Sequence, residues 1–362
     1  MKPDAAGPND RQDKTDLAAP VAAYRARLRW QSLVLAVAAS AMLCSFAWDL
    51  ATGPGALSAS DILATLLDPE AQPRRLRVIV WDIRLPVATM AVLIGAMLGL
   101  AGAQMQTILA NPLADPFTLG ISSAASVGAA LAVVLGWGLL PGVAGTAAVT
   151  GNAFAFALLA AAAVHLLTRL RGVNAQTMIL FGIALMFSFN ALLGLLQYRA
   201  SEVQLQQIIF WMMGSLGRSN WTRIGIAFAV LAVAAPLLWR HRWALSAIRL
   251  GEERARSLGV DVGRVRLEVL ALVSLLAATA VSFVGVIGFV GLVGPHVARL
   301  LVGEEQRFFV PLSAIGGAAL LSGASIVSKT LVPGTIFPLG IVTALVGVPV
   351  FLSLVLSRRG IG

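Results

Sequence analysis

The chain has 362 residues, 58% of them hydrophobic and 12% charged. Soluble domains carry about 25% charged residues, so a soluble enzyme, a disordered chain and a disulfide scaffold are all excluded. Lys and Arg number 27 against 17 Asp and Glu. That excess fits cytoplasmic loops of a polytopic membrane protein better than nucleic-acid binding, because the charges are scattered over short loops.

Residues 1–30 are polar and of mixed charge, from Lys2 and Asp4 to Arg25, Arg27 and Arg29. They read as a mobile cytoplasmic tail, too long and acidic for a signal peptide. A span needs about 20 apolar residues. Ten candidate spans follow, at 31–51, 85–109, 118–140, 147–168, 175–198, 223–240, 267–284, 286–302, 309–328 and 336–356. The run from Val269 to Leu301 is too long for one crossing and divides at Ser282–Gly285. With the N-terminus inside, 19 basic residues fall on the inner side and 8 on the outer. Both termini are therefore expected in the cytoplasm. Gly95, Gly99 and Gly102 share a face of the second span, and Gly285, Gly288, Gly291 and Gly294 recur every third residue. Small residues at such spacing let helix backbones approach closely in lipid. The expected fold is all-α, a bundle of about ten transmembrane helices over residues 31–359.

The polar inventory is thin. Cys44 lies in an apolar run and reads as a small buried hydrophobe, and His165, His241 and His296 have no partner at ligand spacing, so no metal is expected. The acidic residues fall in the tail, loops or span ends. Ion-coupled carriers use buried carboxylates, which counts against an ion-coupled secondary transporter, the alternative reading. Gln104, Gln106, Asn152, Asn190 and Gln197 read as interhelical hydrogen-bonding groups. The stretch Gly323 to Thr330 nearly matches a phosphate loop but has Ser328 for its second glycine and lies in an apolar span. No ATP site is expected in this chain, and no enzyme activity.

Two segments outside the spans stand out. In Asn111-Pro-Leu-Ala-Asp-Pro-Phe-Thr-Leu-Gly120, Pro112 and Pro116 interrupt any helix, so a tight inter-span turn is one reading. In the inner loop Arg240–Arg266, the spacing predicts a short helix over Glu252–Leu258, with acids at its start, Arg254 and Arg256 further on, and Gly259 as its stop. Ala255 and Leu258 share one face, which needs either lipid headgroups or a partner protein against it. A second short helix is expected after Val260-Asp-Val-Gly263.

Six motifs in order make the chain resemble the FecCD family, the permease subunits of ATP-binding cassette (ABC) importers for ferric siderophores, haem and vitamin B12. They are Ile83-Arg84-Leu85-Pro86, Gly102-Ala-Gln-Met-Gln106, Asn111-Pro112 through Asp115-Pro116 with Leu119-Gly-Ile-Ser122, Leu250-Gly251 through Leu258-Gly259, Gly288-Phe-Val-Gly-Leu-Val-Gly294-Pro295-His296 with Arg299, and Pro338 to Thr343 leading to Gly347-Val-Pro-Val-Phe351. The resemblance implies the type II importer permease fold, a homo- or heterodimer of permeases in the bacterial inner membrane, two ABC ATPase subunits inside and a periplasmic or lipid-anchored binding protein outside. ATP and Mg would sit on the ATPase subunits, and no cofactor on this chain. It further implies that Leu250, Gly251, Glu252, Ala255, Leu258 and Gly259 couple to the ATPase, and that Arg84 and Lys329 dock the binding protein. Val87 stands where the family commonly has arginine, and Arg74, Arg75 and Arg77 are candidates to replace that contact. By position, Asn174, Ala175 and Gln176 match a cytoplasmic gate, and the implied cargo is an iron chelate, ferric siderophore ahead of haem or cobalamin.

Overall fold

A computed structural model describes residues 9–53, 55, 57–139, 144–168, 175–332 and 334–357 of the chain. It is built of helices: α1 (Asn9–Ala51), α2 (Ala59–Leu67), α3 (Arg74–Arg77), α4 (Leu85–Ile108), α5 (Ile121–Leu135), α6 (Gly145–Thr168), α7 (Ala175–Arg199), α8 (Glu202–Met212), α9 (Trp221–Arg240), α10 (Arg242–Arg249), α11 (Glu252–Ser257), α12 (Val262–Val284), α13 (Val290–Val302), α14 (Gln306–Thr330) and α15 (Leu339–Ser357). A wide π-helical stretch, Val78–Arg84, joins α3 to α4 without a break. Among the described residues seven helices are long and apolar enough to cross a membrane, and α5, α13 and the apolar part of α15 are shorter. These ten fall one to one on the ten expected spans.

The boundaries carry corrections. The polar tail is not irregular throughout, since α1 is helical from Asn9. The third span is cut to Ile121–Leu135 because Pro116–Leu119 forms a 3-10 turn closed by Gly120 at φ 80°. Cys44 is exposed on α1 rather than buried. The fifth and sixth spans are separated by α8, which the sequence reading passed over. Its capping box was there to be found: the Ser201 hydroxyl accepts from the Gln204 amide, and the Gln204 side chain accepts from the Ser201 amide. Gln204 also donates to the carbonyls of Val133 and Val134, fastening α8 to the end of α5.

The centre of the bundle is α4, packed by α9, α12, α13 and α14. Its glycine stripe explains how they approach. A Cβ at Gly95 would overlap the Gly317 carbonyl, one at Gly99 the Ser313 carbonyl, and one at Gly102 the Gly291 carbonyl. The stripe thus brings α4 against α14 and α13 at backbone distance, where dispersion contacts are densest.

Where helices stop at membrane depth, their backbones bond to each other. The long apolar run divides where expected, α12 ending at Val284 and Gly285 taking φ 79°. The Ser215 amide donates to the Val284 carbonyl (2.7 Å), Leu339 to Gly214 (3.1 Å) and Gly340 to Met213 (2.9 Å). Three irregular segments, 213–215, 284–289 and 337–340, form one hydrogen-bonded seam. Polar backbone in a lipid-facing core is tolerated only when satisfied in this way.

Candidate functional site

The inner loop after α9 forms two short helices packed on the bundle, α10 and α11, and of the two expected only α11 lies where predicted. α10 precedes the expected helix, and none of its own follows Gly263, because Val262–Val284 is one continuous helix. α11 opens after Gly251 at φ 113°, with Glu252 and Glu253 in its first turn. It closes at Gly259, φ 83°, where the Gly259 amide donates to the Arg256 carbonyl and Val260 to the Ala255 carbonyl. That paired closure with a left-handed glycine is the Schellman arrangement. Glu252 also holds Arg266 of α12 at 2.5 Å.

One expected contact residue moves sides. Ala255 is fully buried against the inner core, so it faces the bundle and does not share an outer face with Leu258. Leu250, Leu258 and Trp243 are exposed instead. In sequence Trp243 reads as an interfacial aromatic near a span end, because the short helix α10 that carries it was not recognised.

The turn between α4 and α5 is built by its acid and amide. The Asn111 side chain accepts from the Leu113 amide at 2.9 Å, and Asp115 caps the 3-10 turn through the Phe117 amide at 2.8 Å. Asp115 is buried, and burial pushes its carboxyl up to about 6 against the partial relief of that amide bond. Pro116 is buried and Pro112 partly so. Gly294, Pro295 and His296 lie within α13, with Gly294 against Ser313 and Gly317 of α14. Of the three gate positions, Asn174 lies outside the described residues, Ala175 packs partly into the core, and Gln176 is exposed at the start of α7.

The two outer cations are not where docking would need them. Arg84 is 2% exposed. Its guanidinium donates to the carbonyls of Ala51 (2.8 Å), Gly53 (3.1 Å) and Gly55 (2.6 Å). It therefore closes the C-terminal end of α1, where unsatisfied carbonyls favour a cation. Lys329 is paired at 2.7 Å with Asp49, which is fully buried. Both charges are spent inside the protein in this conformation. Asp49, at a span end, looked like a loop acid in sequence. Arg77 pairs with Glu70, while Arg74 and Arg75 are exposed.

A cavity of about 890 Å³ opens between the end of α5, the start of α6, α8 and residues 336–338, with Thr146, Gln206, Gln207, Ser215 and Arg218 among its polar lining. Burial and the neighbouring Arg223 push the Arg218 guanidinium below its ordinary value. Gln206 and Gln207 went unnoticed in sequence because their helix, α8, did; Arg218 was counted there only as an outer basic residue.

The FecCD transport family model matches residues 27–357. The chain belongs to the FecCD transport family. It is 38% identical over 281 residues to the hemin transport system permease protein HmuU of Yersinia pestis, covering 77% of this chain and 84% of that one. It is 37% identical over 285 residues to the vitamin B12 import system permease protein BtuC of Klebsiella pneumoniae, covering 78% and 84%. An inward-facing structure of a transporter described as of metal-chelate type superposes with a TM-score of 0.79 at 30% identity, covering 90% of this chain and 99% of that one. This FecCD chain is accordingly a multi-span permease subunit of an ABC importer, with the type II fold and without catalysis of its own.

Proposed function

We propose that this FecCD permease moves an iron chelate inward across the bacterial inner membrane, with a ferric siderophore as cargo ahead of haem or cobalamin. It works as a dimer with a second permease subunit, in membrane lipid, with both termini in the cytoplasm. A periplasmic or lipid-anchored binding protein delivers the chelate, and Arg74 and Arg75 are the outer cations free to meet it. Two ABC ATPase subunits bind and hydrolyse ATP with Mg on the inner side. The observation that carries this reading is the pair α10–α11, which presents Leu250, Leu258 and Trp243 outward from a rigid, glycine-closed frame. An exposed apolar set of this kind on a soluble projection calls for a protein partner. Chelate size fits the 890 Å³ cavity, whose lining includes the amides of Gln206 and Gln207 and the guanidinium of Arg218.

The test is uptake in cells lacking their own importers, supplied with this permease, its ATPase and its binding protein. Radiolabelled ferric hydroxamate siderophore, haemin and cobalamin are compared. Siderophore uptake that stops without the ATPase supports the reading, and uptake of cobalamin alone overturns the cargo. Leu258→Asp places a charge in the partner face and is expected to lower uptake at least about tenfold. Uptake at the wild-type rate removes the coupling role from this segment.

A further inference from the structure

A chain of ion pairs and hydrogen bonds runs from α10 into the bundle. Arg249, the last residue of α10, donates to the Glu304 carbonyl at 2.7 Å and pairs with its carboxylate. The other carboxylate oxygen of Glu304 meets Arg299 of α13 at 2.7 Å. Arg299 donates to the Gln106 side-chain oxygen of α4 at 2.7 Å, and Gln106 donates onward to the Gly291 carbonyl at 3.3 Å. Beyond Glu304 the side chains become more buried, from 41% exposed at Glu304 to 20% at Arg299, and Gln106 is 3% exposed. Such bonds strengthen as water is excluded and hold their geometry.

The far end of α13 is held differently. Phe289, just before it, takes φ 69°, a left-handed conformation rare for a bulky residue. Its ring lies so close to Gly347 of α15 that a Cβ at 347 would overlap it. The helix is thus tied at its inner end to α10, and at the other it bears on α15. At 1.5 Å per residue its 13 residues reach about 20 Å.

We propose that α13 is a lever carrying displacement of the α10–α11 segment to α15, that Arg249, Glu304 and Arg299 are the positioning residues that bolt it to that segment, and that Gln106 of α4 holds the Arg299 side chain in place for that link. The proposal rests on the reading that α10–α11 meets the ATPase. Glu304 is its pivot, because one carboxylate holds both arginines. Gln106 is the informative residue, because it lies inside the bundle where it cannot touch a docked protein.

The full assembly of permease, ATPase and binding protein is reconstituted in liposomes. The readout is uptake per ATP hydrolysed, using whichever of labelled ferric hydroxamate, haemin or cobalamin the wild type moves. Glu304→Gln and Gln106→Leu are each expected to lower that ratio about tenfold, within the usual range of coupling between sites. The ATPase should still co-purify with both. The double variant should be no worse than the poorer single one, because both cut one path. Losses that multiply in the double variant, wild-type ratios in both singles, or release of the ATPase by either would overturn the lever. Leu258→Asp keeps the two ideas apart. If it transports normally, the ATPase-facing reading fails. If it is crippled while Gln106→Leu is normal, only the lever fails.

Discussion

Lys329 and Asp49 show how a charge can change its meaning between sequence and structure. Near a span end, a lysine reads as an outward cation, but here it is sealed against a carboxylate. Removing one partner of a buried pair leaves the other charge uncompensated, at about 3–5 kcal/mol, whereas replacing both is often nearly neutral. Lys329→Met should therefore lower the thermal midpoint of the purified protein, and Asp49→Leu in the same chain should restore most of it. If Lys329→Met alone is as stable as wild type, the pair does not form. Asp115 makes a second residue-scale prediction. Its carboxyl is pushed up to about 6 in the fold, above an ordinary value near 3.9. Between those values the folded state holds the proton and the unfolded chain does not, so stability falls as pH rises through the window. Above about pH 6 the loss is complete, at roughly 3 kcal/mol. Asp115→Asn keeps an acceptor for Phe117 and cannot titrate. Its thermal midpoint should depend less on pH between 4 and 7 than that of the wild type. Equal slopes would show that Asp115 ionises freely.

At the scale of elements, the glycine stripe on α4 was legible as sequence because its spacing alone places the residues on one face. Its partners were not, since Gly291, Ser313 and Gly317 come from helices far along the chain. The same contact makes a prediction. Gly102→Ala inserts a methyl into the Gly291 carbonyl, and overpacking of that kind costs about 1–3 kcal/mol. Gly225→Ala on α9 meets open space and gains helix propensity. The first should lower the midpoint of heat-induced aggregation in detergent, and the second should leave it level or raise it. Equal midpoints would mean α4 and α13 are farther apart than described. The α11 helix and its glycine stop were also readable, from charge order and one residue type. The exposure of its faces was not, because Ala255 turns inward to the core that also holds Leu245 and Ile248, and those two lie on an unrecognised helix.

For the whole molecule, ten spans could be counted because each is a run of apolar residues, and lipid imposes that pattern locally. The count held even where α5 and α13 proved too short to cross on their own. What hydropathy could not show is how the missing thickness is filled, because the answer lies in backbone groups. Segments 213–215, 284–289 and 337–340 supply it together. Arg84 is hidden for a similar reason, since its partners are carbonyls at the end of α1 that any sequence would carry.

The seam has a consequence for how such a protein can be inherited. A helix can be exchanged for a relative's helix of equal shape, one packing face at a time. The seam obeys a different rule, because each irregular segment supplies main-chain donors or acceptors that the others answer, and these depend on the length of chain. A one-residue insertion just before Val284 would move its carbonyl out of step with the Ser215 amide, and no side chain could compensate. The three segments, separated by long stretches of chain, are therefore bound together in length and not in side-chain identity: a chimera can take one from a relative where the number of residues is unchanged.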